Sequence, residues 1–302
     1  MEFKNLDFLL DRCCQDKKMN LVVTCPHGTD TLGAVCKAQQ DNLVQGILVG
    51  NREKIEKIAL EEGFDLEGLV IEDTPSDYVA AERSVQMVSA GEGDLLMKGL
   101  VKTADLLRAV LNREWGLRTG SLLSHMLLFE APLLENRVLA MSDGGMNMYP
   151  DLPAKVKIIE NGVACLHKLG VKEPKVAVLG AVEVVNPDMP CTLDAAALAQ
   201  MNARGQIKGC IVDGPFALDN AVSREAAAIK KLDSPVAGEA DMLLVPDIEA
   251  GNMLAKVVLY MAKDKAAGVV LGARKPIVMT SRFDTMEIKL LSIALGAVVA
   301  KD

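Results

Sequence analysis

Short apolar runs alternate along this chain with stretches whose apolar residues recur at helical spacing. Leu21 to Thr24, Ile47 to Val49 and Leu69 to Ile71 have the length and bounding of buried strands. Gly50-Asn51 closes the second of them and supplies an N-cap for a helix over Arg52 to Glu62. Ser76 to Ala90 places Val79, Ala80, Val85, Met87 and Val88 at helical spacing and stops at Gly91. Strand, crossover helix and strand in this order imply parallel pairing with right-handed crossovers.

The same grammar continues. Asp94 to Gly99 reads as a strand ending on Lys98 and Gly99, followed by a helix from Thr103 to Leu111 that carries Arg108. Leu127 to Phe129 and Val138 to Met141 are further short runs. The second leads into Ser142-Asp143-Gly144-Gly145-Met146-Asn147-Met148-Tyr149-Pro150, where adjacent glycines let backbone come close to a ligand. Pro150 and Pro153 mark a break before a helix over 154 to 169. Beyond it, Val176 to Leu179 is a strand and Thr192 caps a helix from Leu193 to Asn202. Ile207 to Val212 is a strand closing on Asp213-Gly214-Pro215, and 216 to 231 are helical.

Two late strands carry the densest polar chemistry. Met242 to Val245 is stopped by Pro246, and Asp247, Glu249, Gly251 and Asn252 lie on the turn into a helix. Ile277 to Thr280 ends in Ser281-Arg282, and 283 to 299 form a last, largely buried helix that returns to the first domain. The expectation is an α/β protein of two α/β domains with a cleft between them. Residues 1–141 with 282–302 form a discontinuous first domain and 142–281 the second, and the cleft is where a small-molecule site belongs.

Composition narrows the chemistry. Half of the 302 residues are apolar but only 3% are aromatic, so the core is aliphatic and a base-stacking surface is not supported. A net charge of -8 excludes a basic nucleic-acid field, although a few arginines in one cleft still suit an anionic small ligand. The seven cysteines show no C-x-x-C, and His27, His125 and His167 are far apart, so no metal site is expected. Reduced thiols, the absence of a leader pattern and of an apolar run of about 18 residues point to a cytoplasmic protein without a membrane span.

The polar strand ends are the candidate site. Arg282 follows a hydroxyl in a Thr-Ser-Arg turn, an arrangement of side-chain donor, backbone N–H and planar guanidinium suited to phosphate. Lys98 and Arg108 lie downstream of a buried strand and suit a share in the same anion. Asp143, Asp213, Asp219, Asp247 and Glu249 are the acidic counterpart, with turn and N-cap chemistry as the plainer explanation of each. Asn147 and Asn252 suit amide or hydroxyl recognition. Cys25, in Cys25-Pro26-His27-Gly28, reads as packing rather than nucleophile. No G-x-x-x-x-G-K-[ST], G-x-G-x-x-G or G-x-S-x-G occurs.

Six ordered blocks carry a family resemblance: LMKGLVKTADLLRAVL (96–111), SDGGMNMYP (142–150), AVEVVNPDMPCTLDAAAL (181–198), RGQIKGCIVDGPFALDNAV (204–222), ADMLLVPDIEAGNMLAK (240–256) and TSRFDTMEIKLLSIALGA (280–297). Together they resemble the phosphate acyltransferases, most closely the phosphate butyryltransferase branch. The resemblance implies a fold like that of the isocitrate and isopropylmalate dehydrogenases, and homodimers or larger homo-oligomers. It implies reversible transfer of a short acyl group between CoA and phosphate, with acyl-CoA and phosphate as substrates and no permanently bound cofactor. It puts the family's Ser-Arg pair on Ser281 and Arg282 and its cleft arginine on Arg108, in the helix that Thr103 begins. The acetyl branch carries a catalytic aspartate shortly after the Ser-Arg pair. Here the nearby acids are Asp284 and Glu287, with Glu287 taken as the catalytic candidate beside substrate-binding Lys98, Thr103, Arg108, Asp143, Asn147, Asp213 and Asn252. A phosphate acetyltransferase, a dehydrogenase of the same fold group and a non-catalytic acyl-CoA binding protein are the alternatives.

Overall fold

The computed structural model describes residues 4–14 and 18–301. Its strands are β1 (Met19–Thr24), β2 (Val44–Gly50), β3 (Val70–Asp73), β4 (Leu95–Lys98), β5 (Ser124–Ala131), β6 (Arg137–Ser142), β7 (Lys175–Leu179), β8 (Ile211–Phe216), β9 (Met242–Leu244), β10 (Ala266–Leu271) and β11 (Ile277–Val278). The helices are α1 (Phe8–Cys14), α2 (Thr29–Gln40), α3 (Arg52–Glu62), α4 (Asp77–Ser89), α5 (Thr103–Val110), α6 (Leu152–Lys168), α7 (Pro190–Ala203), α8 (Leu218–Val222), α9 (Arg224–Ile229), α10 (Ile248–Lys256) and α11 (Met286–Ala300). A π-helical turn over Val257–Ala262 extends α10. No described helix is long and apolar enough to cross a membrane.

The described residues fall into two compact units, a terminal unit of residues 7–121 with 267–301 and a middle unit of residues 122–266 with 4–6. These bounds differ from breaks after residues 141 and 281. Residues 122–141 go with the middle unit because β5 and β6 pair as an antiparallel hairpin and β6 lies parallel to β9. Residues 267–281 go with the terminal unit because β11 lies parallel to β4 and antiparallel to β10.

In the terminal unit the strands run in the order β3-β2-β1-β4-β11-β10. β1, β2, β3 and β4 are mutually parallel, and the chain winds outward through β2 and β3 before β4 is laid on the other side of β1. That reversal is a topological switch point, and a crevice opens beside the carboxyl ends of these strands. Aliphatic side chains such as Leu21, Val22, Val23, Leu95, Leu96 and Met97 are fully buried. α11 covers them: nearly every residue from Lys289 to Ala300 is buried, and the helix packs on α2.

In the middle unit the order is β5-β6-β9-β7-β8. Its core gathers Leu127, Phe129, Leu139, Met141, Leu179, Phe216 and Leu243.

Local chemistry sets most boundaries. Asn51 caps α3 by accepting from the Lys54 N–H at 2.8 Å, as its position after Gly50 implies. Asp151, Asp247 and Thr285 cap α6, α10 and α11 in the same way. Three sequence expectations are corrected. Thr192 is inside α7 rather than capping it, its hydroxyl donating to the Met189 and Asn186 carbonyls. The strand expected at 207–212 runs instead from Ile211 to Phe216, so Asp213, Gly214 and Pro215 belong to β8, which pairs with β7 across a register shift and includes a cis Gly214–Pro215 peptide. The helix expected over 216–231 is two, α8 and α9, because Ser223 is extended and its side chain caps α9 through the Ala226 N–H.

Candidate functional site

The crevice at the switch point of the terminal unit is lined by Gly28, Thr29, Asp30 and Thr31 after β1, by Lys98, Gly99 and Leu100 after β4, and by Thr280, Ser281, Arg282 and Lys289 around the β11–α11 turn. Each element delivers its residues for a simple reason. β4 buries Leu95, Leu96 and Met97, so its last residue, Lys98, is carried to the sheet edge and remains only 8% exposed. Gly99 lets the chain pass closely: a Cβ there would lie 2.1 Å from the Cys25 carbonyl oxygen. α2 is preceded at its cap position by Gly28, which has no side chain with which to cap, so the N-terminus of this twelve-residue helix lies uncapped at the crevice.

Three cations thus line the crevice beside one helix N-terminus. Lys98 donates to the Gly99 carbonyl at 3.3 Å; burial, and then the charge of Arg282, lower its pKa from the ordinary lysine value. Burial also lowers that of Lys289, against the opposing charges of Asp284 and Asp30. Arg282 is exposed and Ser281 half-buried. Asp30 is the one carboxylate among the lining residues. An anion with several oxygens would satisfy the Arg282 guanidinium, the Ser281 hydroxyl, the Lys98 ammonium and the helix N–H groups together.

The other candidates of this unit stand apart from the lining. Arg108 is on the exposed side of α5, paired with Asp105 at 3.0 Å. Thr103 is the exposed first residue of that helix. Glu287 is exposed in the first turn of α11. Cys25 is fully buried and its thiol is pushed up to about 12, chiefly by burial and then by Asp77. With His27 and Asp77 it forms the one group of metal-ligating types close enough to share an ion among the described residues. However, His27 Nε2 accepts from the Asn51 N–H at 3.1 Å, which leaves the proton on Nδ1, the nitrogen that faces Asp77.

In the middle unit the structure brings Asp143, Asn147 and Asn252 together around the loop after β6. The Asp143 carboxylate, 2% exposed, accepts from the Gly145 and Met146 N–H groups at 2.8 and 2.9 Å and from the Asn147 amide at 2.5 Å. Asn147 also donates to the Leu123 carbonyl at 2.8 Å, so its amide nitrogen is occupied within the loop. Asn252 donates to the Gly144 carbonyl at 3.3 Å. Asp213 is separate, accepting from the Gly214 N–H within β8. Asp219 is exposed on α8, Asp247 caps α10, and Glu249 accepts from the Tyr149 hydroxyl.

A larger cavity of about 820 Å³ also belongs to this unit, by the beginnings of β6 and β7. Several of its charged groups are already occupied: Arg137 donates to the Val222, Gly238 and Ala240 carbonyls, and Glu239 pairs with Arg224 and Lys175. The smaller crevice, with cations in excess, is the better anion site.

Sequence reading missed Gly28 to Thr31 and Lys289. The first had a usable signal, a strand followed by glycine and then Leu32, Val35 and Cys36 at helical spacing. Lys289, one cation within an apolar helix, had none.

Parallel strands with a cation-lined crevice at a switch point place the terminal unit among the α/β folds that bind ligands at the carboxyl ends of their strands. The chain belongs to the phosphate acetyl/butaryl transferase family, whose model matches residues 78–297. It is 45% identical to a phosphate butyryltransferase of Clostridium beijerinckii, covering 98% of each chain, and 46% identical to a phosphate acetyltransferase of Thermotoga maritima, covering 94% of this chain and 96% of that one. Among solved structures, a branched-chain phosphotransacylase from Enterococcus faecalis superposes with a TM-score of 0.83 at 28% identity, over 93% of this chain and 99% of that one. A 4-hydroxythreonine-4-phosphate dehydrogenase from Klebsiella pneumoniae, at a TM-score of 0.59, 14% identity and 94% and 100% coverage, shares the fold alone. The dehydrogenase-like α/β fold expected from the sequence is therefore met.

Proposed function

We propose that this acyltransferase catalyses reversible exchange of a short acyl group, butyryl by preference, between CoA and inorganic phosphate, and that phosphate is held in the switch-point crevice. One observation carries the reading. Lys98 and Arg282 converge on an uncapped helix N-terminus, with Lys289 held against the Ser281–Asp284 turn beside them and Asp30 the one carboxylate among the lining residues. Arg282 grips phosphate with its planar fork, Ser281 hydrogen-bonds phosphate or the developing oxyanion, and Lys98 supplies countercharge. Arg108, with Thr103 at the start of its helix, is assigned to further anionic groups of CoA or phosphate, and Asn147 and Asn252 to the thioester or pantetheine amides. Asp213 is assigned to substrate binding as well, and Glu287 to the acidic role.

The chemistry needs little more than orientation. Phosphate is largely dianionic near neutral pH, given a second pKa of about 6 for phosphate esters. One of its oxygens attacks the thioester carbonyl carbon; the new C–O bond replaces the C–S bond, and the thiolate leaves to take a proton from solvent. With a reference thiol pKa of about 8.5 that leaving group is good. Holding both reactants in line contributes roughly 7 to 11 kcal/mol. No covalent acyl-enzyme is needed. A cytoplasmic, homo-oligomeric protein goes with this reading, supported by free cysteines and by exposed Met253, Val257, Tyr260 and Met261 at helical spacing along α10 and its π-helical extension.

Acetyl transfer is the second reading, favoured by the acetyltransferase relative at comparable identity. The test is release of free thiol from butyryl-CoA and acetyl-CoA, each with and without phosphate. Phosphate-dependent release, faster with butyryl-CoA, is expected. Faster release from acetyl-CoA moves the assignment to the acetyl branch, and no release from either sinks the proposal.

A further inference from the structure

The turn that carries Ser281 and Arg282 is tied down at both backbone groups of Ser281. Its N–H donates to the Asp284 carboxylate at 2.7 Å. Its carbonyl accepts from the Asp284 N–H at 3.2 Å and from Lys289 Nζ at 3.3 Å. Lys289 also donates to the Asp284 carbonyl. Asp284 and Lys289 are 8% and 2% exposed, and the α11 residues that follow, from Leu291 to Ala300, are buried and almost all apolar.

A lysine inside such a helix loses hydration that a leucine would not miss, and is retained only where its ammonium finds partners. The hydrogen-bond partners it finds are two carbonyls of this one turn. The Asp284 carboxylate likewise meets a backbone N–H, a contact for which an oxygen lone pair suffices and ionisation is not required.

We propose that Asp284 and Lys289 are positioning residues, which hold the Ser281 peptide so that the Ser281 hydroxyl and the Arg282 guanidinium face the same anion. The inference rests on the reading of the crevice as the phosphate site, and it separates the two nearby acids. Asp284 organises the turn, whereas Glu287, exposed on the first turn of α11, is left for any acid–base part.

The test compares Asp284→Ala with Asp284→Asn in the full-length protein. The alanine variant loses the acceptor and is expected to drop kcat at least tenfold, with a smaller rise in the KM for phosphate. The asparagine variant keeps an oxygen and is expected to restore most of that loss. Equal damage from both variants would overturn the proposal, because it would mean that the charge of Asp284 acts in the chemistry. Lys289→Met is expected to follow Asp284→Ala; a large rise in the KM for phosphate at unchanged kcat would make Lys289 an anion ligand instead, and would also overturn it.

Hydrogen exchange at the Ser281 amide, measured without substrates, supplies a readout besides turnover. Protection in the native protein and in Asp284→Asn, lost in Asp284→Ala, is expected. No protection in the native protein would overturn the clamp even with transfer confirmed. Protection in a native protein that fails to release thiol would instead locate the failure in the proposed function.

Discussion

Lys98 and Arg282 approach one another at the carboxyl ends of neighbouring strands, β4 and β11, and the guanidinium is second only to burial in lowering the lysine pKa. Two like charges brought together at a sheet edge are costly until an anion joins them. The sign of the pH dependence follows. As pH rises through the lowered Lys98 pKa, below the ordinary value of 10.5, the free protein loses one of the crevice's positive charges. If Lys98 pairs with phosphate as proposed, the profile of kcat/KM for phosphate should fall on the alkaline side, while kcat, which reports the phosphate-bound protein, should fall at higher pH.

Replacing that lysine removes a charge-assisted contact of about 1.5 to 3 kcal/mol. Lys98→Met should lower kcat/KM for phosphate by about 10- to 150-fold at neutral pH and flatten the alkaline limb. Steady-state kinetics across pH checks both effects.

Arg282→Lys keeps the charge but not the planar fork. Loss of one charge-assisted bond should lower kcat/KM by at least about tenfold. Since Arg282 is exposed, its thermal midpoint should stay near that of the native protein. Near-native turnover in this variant would remove Arg282 from the mechanism.

The Cys25 thiol, fully buried and pushed up to about 12, is protonated at neutral pH and is no nucleophile. Cys25→Ala should keep turnover within about twofold, because one small side chain replaces another and the thiol meets the Asp77 carbonyl on α4. Recovery of an acyl-enzyme thioester by mass spectrometry would overturn that expectation.

Asp143 is a loop organiser by its geometry, since three donors of its own loop occupy its carboxylate. Asp143→Ala strands those donors, and each left unsatisfied costs about 1 to 3 kcal/mol. A fall of about 3 kcal/mol or more in unfolding free energy is expected from denaturant titration, with the loss of substrate affinity secondary to it.

Local signals were readable wherever the deciding interaction is near in sequence. Asn51 after Gly50 announces the start of α3, and three consecutive apolar residues before Lys98 announce a strand that delivers its lysine to the edge. Pairing partners far apart were not readable. The runs around Leu128 and Leu139 look like any two short strands, and only their mutual register makes them a hairpin. Thr192 has the chemistry of a cap, yet Pro190 starts the helix before it. Ser281 and Arg282 were legible as a strand end bearing a hydroxyl and a guanidinium. Their support by Asp284 and Lys289 was not, because a lysine inside an apolar helix is informative only once the carbonyls it meets are known.

The most direct test of phosphate attack without a covalent intermediate is the initial-velocity pattern with butyryl-CoA and phosphate varied together. Intersecting double-reciprocal lines are expected, since both substrates must be bound before the acyl group moves. Parallel lines, with exchange of label between free CoA and butyryl-CoA in the absence of phosphate, would show an acyl-enzyme and contradict direct attack.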